Sequence, residues 1–157
     1  MKKDASATLL ASSCPVSELS PSDDALRLDA LAAARGAYAP YSRFRVGAAL
    51  RLADGSVLAG SNQENVAYPS GICAERNALF AAGAAHPGLA VQTLLLVALN
   101  PDGSPVPYNS PCGACRQVMM ETQTRQQSPL RVLLCGAETV HEFPSVDPLL
   151  PFWAPPL

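Results

Sequence analysis

Apolar positions along this chain change period from one segment to the next. Ala25, Leu26, Leu28, Leu31, Ala32 and Ala33 recur so as to cover one helical surface. Ser22 followed by Asp23 and Asp24 predicts the start of that helix, a side-chain cap and then acids at the positive end of the dipole. Gly36 and Pro40 end it. Arg45 to Leu52 alternates and then fills with Val and Ala, which predicts a strand. Asp54-Gly55 is a hairpin turn, and Val57 to Gly60 is the returning strand. Residues 61–72 carry Asn, Pro and Gly and read as an irregular loop.

The Ala-rich stretch from Cys73 to about Ala85 predicts a second helix, broken by His86-Pro87-Gly88. Thr93 to Leu99 is a continuous apolar run, the pattern of a strand covered on both faces. A Pro-rich loop then leads to Cys112, and a third helix is predicted from about Gly113 to Glu121. Leu130 to Leu134 reads as another buried strand and Thr139 to Phe143 as a weaker last one. Helices alternating with five such strands imply a three-layer α/β/α domain with a mixed, five-stranded central sheet. Residues 1–21, rich in Ser, Ala and Thr and closing with Pro21, read as a flexible tail. Residues 22–157 then form the single domain.

Composition narrows the function. Hydrophobic residues make up 48% and charged residues 15% of the 157 positions, which marks a globular chain. The formal charge is -2, and the eleven Lys and Arg residues are scattered with no run beyond Lys2-Lys3. A nucleic-acid binder would show a basic stripe, so a small neutral ligand suits this balance better. No apolar stretch approaches the roughly 20 residues of a membrane span. Asp4, Ser6, Thr8, Ser12 and Ser13 interrupt any secretory hydrophobic region, and the expected setting is the cytoplasm. The five cysteines are an odd number, whereas a disulfide framework uses an even one. Clustered thiols in a reducing compartment more often bind metal or do chemistry.

Two short stretches carry the chemistry: Cys73-Ala74-Glu75-Arg76 and Pro111-Cys112-Gly113-Ala114-Cys115-Arg116. Each opens a predicted helix, where unpaired amide donors and partial positive charge favour a thiolate. Cys73, Cys112 and Cys115 together could hold one Zn²⁺. Three protein ligands and an open fourth position are the arrangement of a catalytic zinc. Glu75 lies two residues from a ligand, close enough to move protons without coordinating the metal. Three thiolates leave a formal charge of minus one on the site, and Arg76 is a candidate to withdraw some of that density. Other readings stay open on these residues alone. Cys112-Gly-Ala-Cys115 is also the spacing of a redox pair. A closed structural zinc would take a fourth ligand from Cys14, Cys135, His86 or His141. Phe44 could be core, and Asn62 and Asn65 could merely shape turns.

A metal ligand, then x-Glu, then Pro-Cys-x-x-Cys is the signature of zinc deaminases. With it come Ala37-Tyr38-Ala39-Pro40-Tyr41-Ser42-Arg43-Phe44, Val46-Gly47-Ala48-Ala49-Leu50, Asn62-Gln63-Glu64-Asn65 and Ser110-Pro111-Cys112-Gly113-Ala114-Cys115-Arg116-Gln117-Val118-Met119. In these blocks, over about residues 23–151, the chain resembles the small homotetrameric cytidine deaminases. The resemblance implies one zinc per subunit on Cys73, Cys112 and Cys115, with Glu75 as the catalytic proton shuttle. It implies Asn62 and Glu64 on the ribose hydroxyls and Phe44 against the pyrimidine ring. It also implies a homotetramer whose neighbouring subunits complete each pocket. The implied reaction converts cytidine and 2′-deoxycytidine to uridine and 2′-deoxyuridine, with release of ammonia, in pyrimidine salvage.

Two departures stand out. Arg45 occupies a position where the family usually has proline, and Phe152-Trp153 follows Leu149-Leu150-Pro151 at shortened spacing. Either aromatic is a candidate to reach a neighbouring pocket. The rivals are a deaminase of a modified or antibiotic cytosine nucleoside such as blasticidin S and, from another class, a non-catalytic protein with a structural zinc. The Asn62-Gln63-Glu64-Asn65 block favours ordinary nucleosides.

Overall fold

The computed structural model describes residues 11–153. Its elements are β1 (Ser12–Pro15), α1 (Pro21–Arg35), β2 (Arg45–Leu52), β3 (Val57–Ser61), α2 (Ala74–Ala85), β4 (Val91–Leu99), α3 (Gly113–Gln126), β5 (Arg131–Cys135) and β6 (Thr139–Phe143). The apolar run of β4 sets the layering, because successive side chains of a strand point to opposite faces. Leu94 and Leu96 enter a core with Ala74, Ala78 and Leu79 of α2 and Met119 and Met120 of α3. Leu95, Val97 and Leu99 enter a second core with Leu26, Ala30 and Ala34 of α1. One helix therefore covers one face and two helices the other, giving the α/β/α sandwich expected from the sequence.

The sheet has six strands in the order β1-β6-β5-β4-β2-β3. Only the β4–β5 pair is parallel, with α3 as its crossover; the other pairs are antiparallel, so the sheet is mixed. The sixth strand corrects the expected count of five. Ser12–Pro15, read from sequence as tail, pairs with β6 through Ser12 opposite Glu142 and Cys14 opposite Val140. Four residues at a sheet edge, three of them exposed, bury too little to leave an apolar signature.

The start of α1 also differs from expectation. Pro21 is the first helical residue and Ser20, not Ser22, is the cap, its hydroxyl accepting from the Asp23 amide at 3.1 Å. Proline has no N–H to lose at that position and a φ already suited to it, so it opens this helix instead of stopping the chain before it. Helix α3 runs to Gln126, past the expected Glu121. Its last turn is polar and carries no apolar period. Tertiary hydrogen bonds hold it: the Gln123 side-chain oxygen accepts from Leu130 and Val146, and that of Gln126 from Val91.

Two glycines let helices lie close on the sheet. A Cβ on Gly47 would stand 1.9 Å from the Ala30 carbonyl oxygen of α1. A Cβ on Gly60 would stand 2.7 Å from the Ala78 nitrogen and 2.9 Å from the Ala74 oxygen of α2. Buried Asp23, at the start of α1, meets Arg131 of β5 at 3.0 Å and Arg51 of β2 at 3.3 Å. Burial opposes its ionisation, but Ser20, Arg131 and Arg51 outweigh that and hold its carboxyl below the ordinary range. Among the described residues, no helix is long and apolar enough to cross a membrane.

Candidate active site

Cys73 is the residue before the first turn of α2, and Cys112 holds the same place before α3. Both have extended backbones, and neither side chain caps its own helix, so both thiols are free to turn toward each other. Cys115, buried in the first turn of α3, completes the group. The Cys73 and Cys112 sulfurs are 3.8 Å apart and those of Cys112 and Cys115 3.4 Å apart. All three lie within 4.8 Å of one another. Tetrahedral Zn–S bonds of about 2.3 Å place sulfurs about 3.8 Å apart, so the donors fit zinc in number, element and spacing.

Among the described residues this metal-capable group has no fourth member. Cys14 and Cys135 sit at the opposite face of the sheet with α1. His86 closes α2, and the His141 ring packs edge-on against Tyr108 with centroids 5.3 Å apart. The closed structural zinc considered from sequence therefore finds no ligand in its four candidates.

Glu75 lies in the first turn of α2 and is buried. Burial pushes its carboxyl up to about 6, and the charge of Cys73 adds to the rise. The Cys73 thiol moves the other way, down to about 5, through hydrogen bonding with Cys115 against burial, with help from Arg76. Arg76 places Nη2 3.7 Å from the Cys73 sulfur. A thiolate at Cys73 in turn holds the Cys115 thiol up.

Phe44, Asn62 and Glu64 come together in a second hydrogen-bonded group. The backbone of residues 62–64 is fixed from both sides: Gln63 exchanges two hydrogen bonds of 3.0 Å with Ile72, and Tyr38 accepts from Glu64 at 2.8 Å. Asn62 Oδ1 accepts from the Val46 amide at 2.8 Å and its Nδ2 donates to the Phe44 carbonyl at 2.9 Å. Glu64 accepts from the amides of Tyr41 at 2.8 Å and Ser42 at 3.3 Å, and from the Ser42 hydroxyl. That hydroxyl, then the two amides, holds the Glu64 carboxyl below its ordinary value despite an opposing desolvation effect. Ser42 Oγ also accepts from the Phe44 amide at 3.0 Å, next to Arg43 with φ 59°. Glu64 thus fixes the turn that presents the Phe44 ring.

A cavity of about 710 Å³ is lined by Phe44, Asn62, Glu64, Cys73, Glu75 and Cys112. That size lies within the range of small-molecule sites. Arg76 also reaches it, while Cys115 stands behind the lining. Arg45 does not line it and is exposed at the start of β2. Phe152 is 89% exposed, whereas Trp153 packs back onto its own core.

Sequence reasoning passed over Tyr108, Asn109 and Arg116. The first two line the cavity. Arg116 clamps the approach to Cys112, donating to the Pro111 carbonyl at 2.9 Å, Ser110 Oγ at 2.8 Å and the Leu149 carbonyl at 3.3 Å. The only signal for Asn109 was its place three residues before a ligand.

An α/β/α domain that brings three cysteine sulfurs to two helix starts, beside a buried carboxyl group, defines a metal-binding domain. The family model described as the cytidine and deoxycytidylate deaminase zinc-binding region matches residues 21–128, and the chain belongs to that family. A crystal structure of cytidine deaminase from Burkholderia pseudomallei is similar, with 44% identity, 82% of this chain and 95% of that chain covered, and a TM-score of 0.68. That of cytidine deaminase from Mycobacterium tuberculosis is 36% identical over 82% of this chain and 93% of that one, with a TM-score of 0.62. The cytidine deaminase of Halalkalibacterium halodurans is 50% identical over 94 residues, which span 59% of this chain and 66% of that relative.

Proposed function

We propose that this chain hydrolyses the exocyclic amine of cytidine and 2′-deoxycytidine, giving uridine or 2′-deoxyuridine and ammonia, as a pyrimidine-salvage enzyme of the cytoplasm. The observation that carries this reading is that Cys73, Glu75 and Cys112 line one cavity together with Phe44, Asn62 and Glu64.

Cys73, Cys112 and Cys115 would hold one zinc, which supplies a Lewis acid that lowers the pKa of water to about 7. Glu75 moves both protons of the attacking water, one to N3 of the base and the other to the departing amine. Oxygen adds to C4 of the base, the C4–N4 bond breaks, a C4 carbonyl forms and ammonia leaves. A buried carboxyl with its pKa pushed up to about 6 is suited to both halves of that transfer near neutral pH.

Asn62 has spent one amide N–H and Glu64 three of its acceptor sites on the protein's own backbone and Ser42. One N–H and about one lone pair remain, a donor and an acceptor for two ribose hydroxyls. The half-exposed Phe44 ring supplies a face for the base. A site that hydrogen-bonds sugar hydroxyls rejects free bases. Val66, Tyr68 and Phe152 stand 80%, 78% and 89% exposed, large apolar side chains available to neighbouring subunits of a homotetramer.

Glu75→Ala provides the test. The variant should keep its zinc, measured by metal analysis, and lose about 10²- to 10⁴-fold in cytidine turnover, followed by ultraviolet absorbance. Near-full turnover would refute the mechanism.

A further inference from the structure

Asn109 is a buried polar side chain, 9% exposed, that lines the cavity. Among the described residues neither its Oδ1 nor its Nδ2 has a hydrogen-bond partner. Buried amides are nearly always paired, so an orphaned one at a cavity wall is a group held ready for a ligand. It has little freedom to relieve itself by swinging away, because its loop is pinned along its length. The Val106 amide donates to Ala98 at 3.0 Å, and Gly136 lies so close that a Cβ there would stand 2.0 Å from the Pro107 carbonyl oxygen. Tyr108 rests on His141, and Arg116 holds Ser110 and Pro111.

Its place in the chain says which part of a ligand it meets. Asn62 and Glu64 mark the sugar end of the cavity, whereas Asn109 stands three residues before Cys112, at the thiol end. With C4 of a pyrimidine at the thiol group, the segment that leads into Cys112 would stand beside the C4 substituent and the C5 edge.

We propose that Asn109 is a specificity-determining residue that reads the amino edge of the base, its Oδ1 accepting from the exocyclic N–H of cytosine. This rests on the deaminase reading above. The acceptor separates an amino-bearing pyrimidine from one with an acceptor oxygen at C4, and so favours release of the product as well as capture of the substrate.

Two ligands separate the contact from general damage: cytidine, and the pyrimidin-2-one ribonucleoside, which lacks the amine. In Asn109→Leu, kcat/KM for cytidine should fall about tenfold or more, the usual worth of one hydrogen bond to a buried group. The inhibition constant of the amine-free nucleoside should stay within about twofold. Zinc content and Tm are measured alongside; if the leucine variant loses either, Asn109→Ser is put through the same pair of ligands. Equal losses on both ligands, or no loss on either, would overturn the assignment. So would a changed sedimentation coefficient at unchanged Tm, which would make Asn109 a contact between copies of the chain. A wild-type chain that holds zinc yet leaves cytidine intact would refute the deaminase reading itself, and this inference with it. Wild-type turnover with an unselective Asn109→Leu refutes the inference alone.

Discussion

Three thiolates around one divalent ion carry a net negative charge, which weakens the ion as a Lewis acid. At the residue scale Arg76 is the group we propose to offset this, because its guanidinium lies 3.7 Å from the Cys73 sulfur, where it would draw density from it. Arg76→Ala should therefore lower kcat about tenfold, in line with the loss of one charge-assisted hydrogen bond, while KM for cytidine moves little. Metal analysis of the same sample shows whether zinc is retained; an unchanged kcat would remove Arg76 from the charge balance. The placing of Cys73, Glu75 and Arg76 at one helix start and of Cys112 and Cys115 at another was legible in the sequence from short spacings; that the two groups meet is set by the fold. Asn109 was not legible, since its interest lies in lacking a partner, which only the folded chain reveals. Nor does any spacing show that Asn62 and Glu64 brace the Phe44 turn.

At the scale of elements, α2 carries Glu75 and is directly preceded by Cys73, and its seat on β3 depends on Gly60. Adding one methyl group there meets backbone atoms of the helix at 2.7 and 2.9 Å, so the helix must lift. Gly60→Ala should cost about 1–3 kcal/mol in unfolding free energy. It should also weaken zinc retention against a competing chelator, because Cys73 moves with the helix while Cys112 does not. Gly36→Ala is the control: its nearest contact would be an ordinary 3.5 Å, and it should change neither quantity. Helices and strands with a strong apolar period were readable from the chain, including both strands of the Asp54-Gly55 hairpin and the continuous run of β4. The misses share a cause. The start of α1, the last turn of α3 and the whole of β1 are held by caps, glutamine side chains and edge pairing, none of which leaves an apolar rhythm.

For the whole molecule, layering followed from pattern, but assembly lies beyond what one chain's periodicity can specify. Phe152, rather than Trp153, is the aromatic left free to reach a neighbour, since Trp153 is committed to its own core. For the proposed homotetramer, sedimentation velocity should give about four times the chain mass. Phe152→Ala should raise KM for cytidine with Tm little changed; a monomer that turns over cytidine at full rate would exclude shared pockets. The sheet margin made by Ser12–Pro15 has a further effect, on unwanted pairing with other chains. Its ribbon is short, largely hydrophilic, and finishes in an imino acid with no amide hydrogen to offer. A stray unfolded polypeptide finds little there to extend, so this strip shields the longer β6 ladder from fibril-like growth.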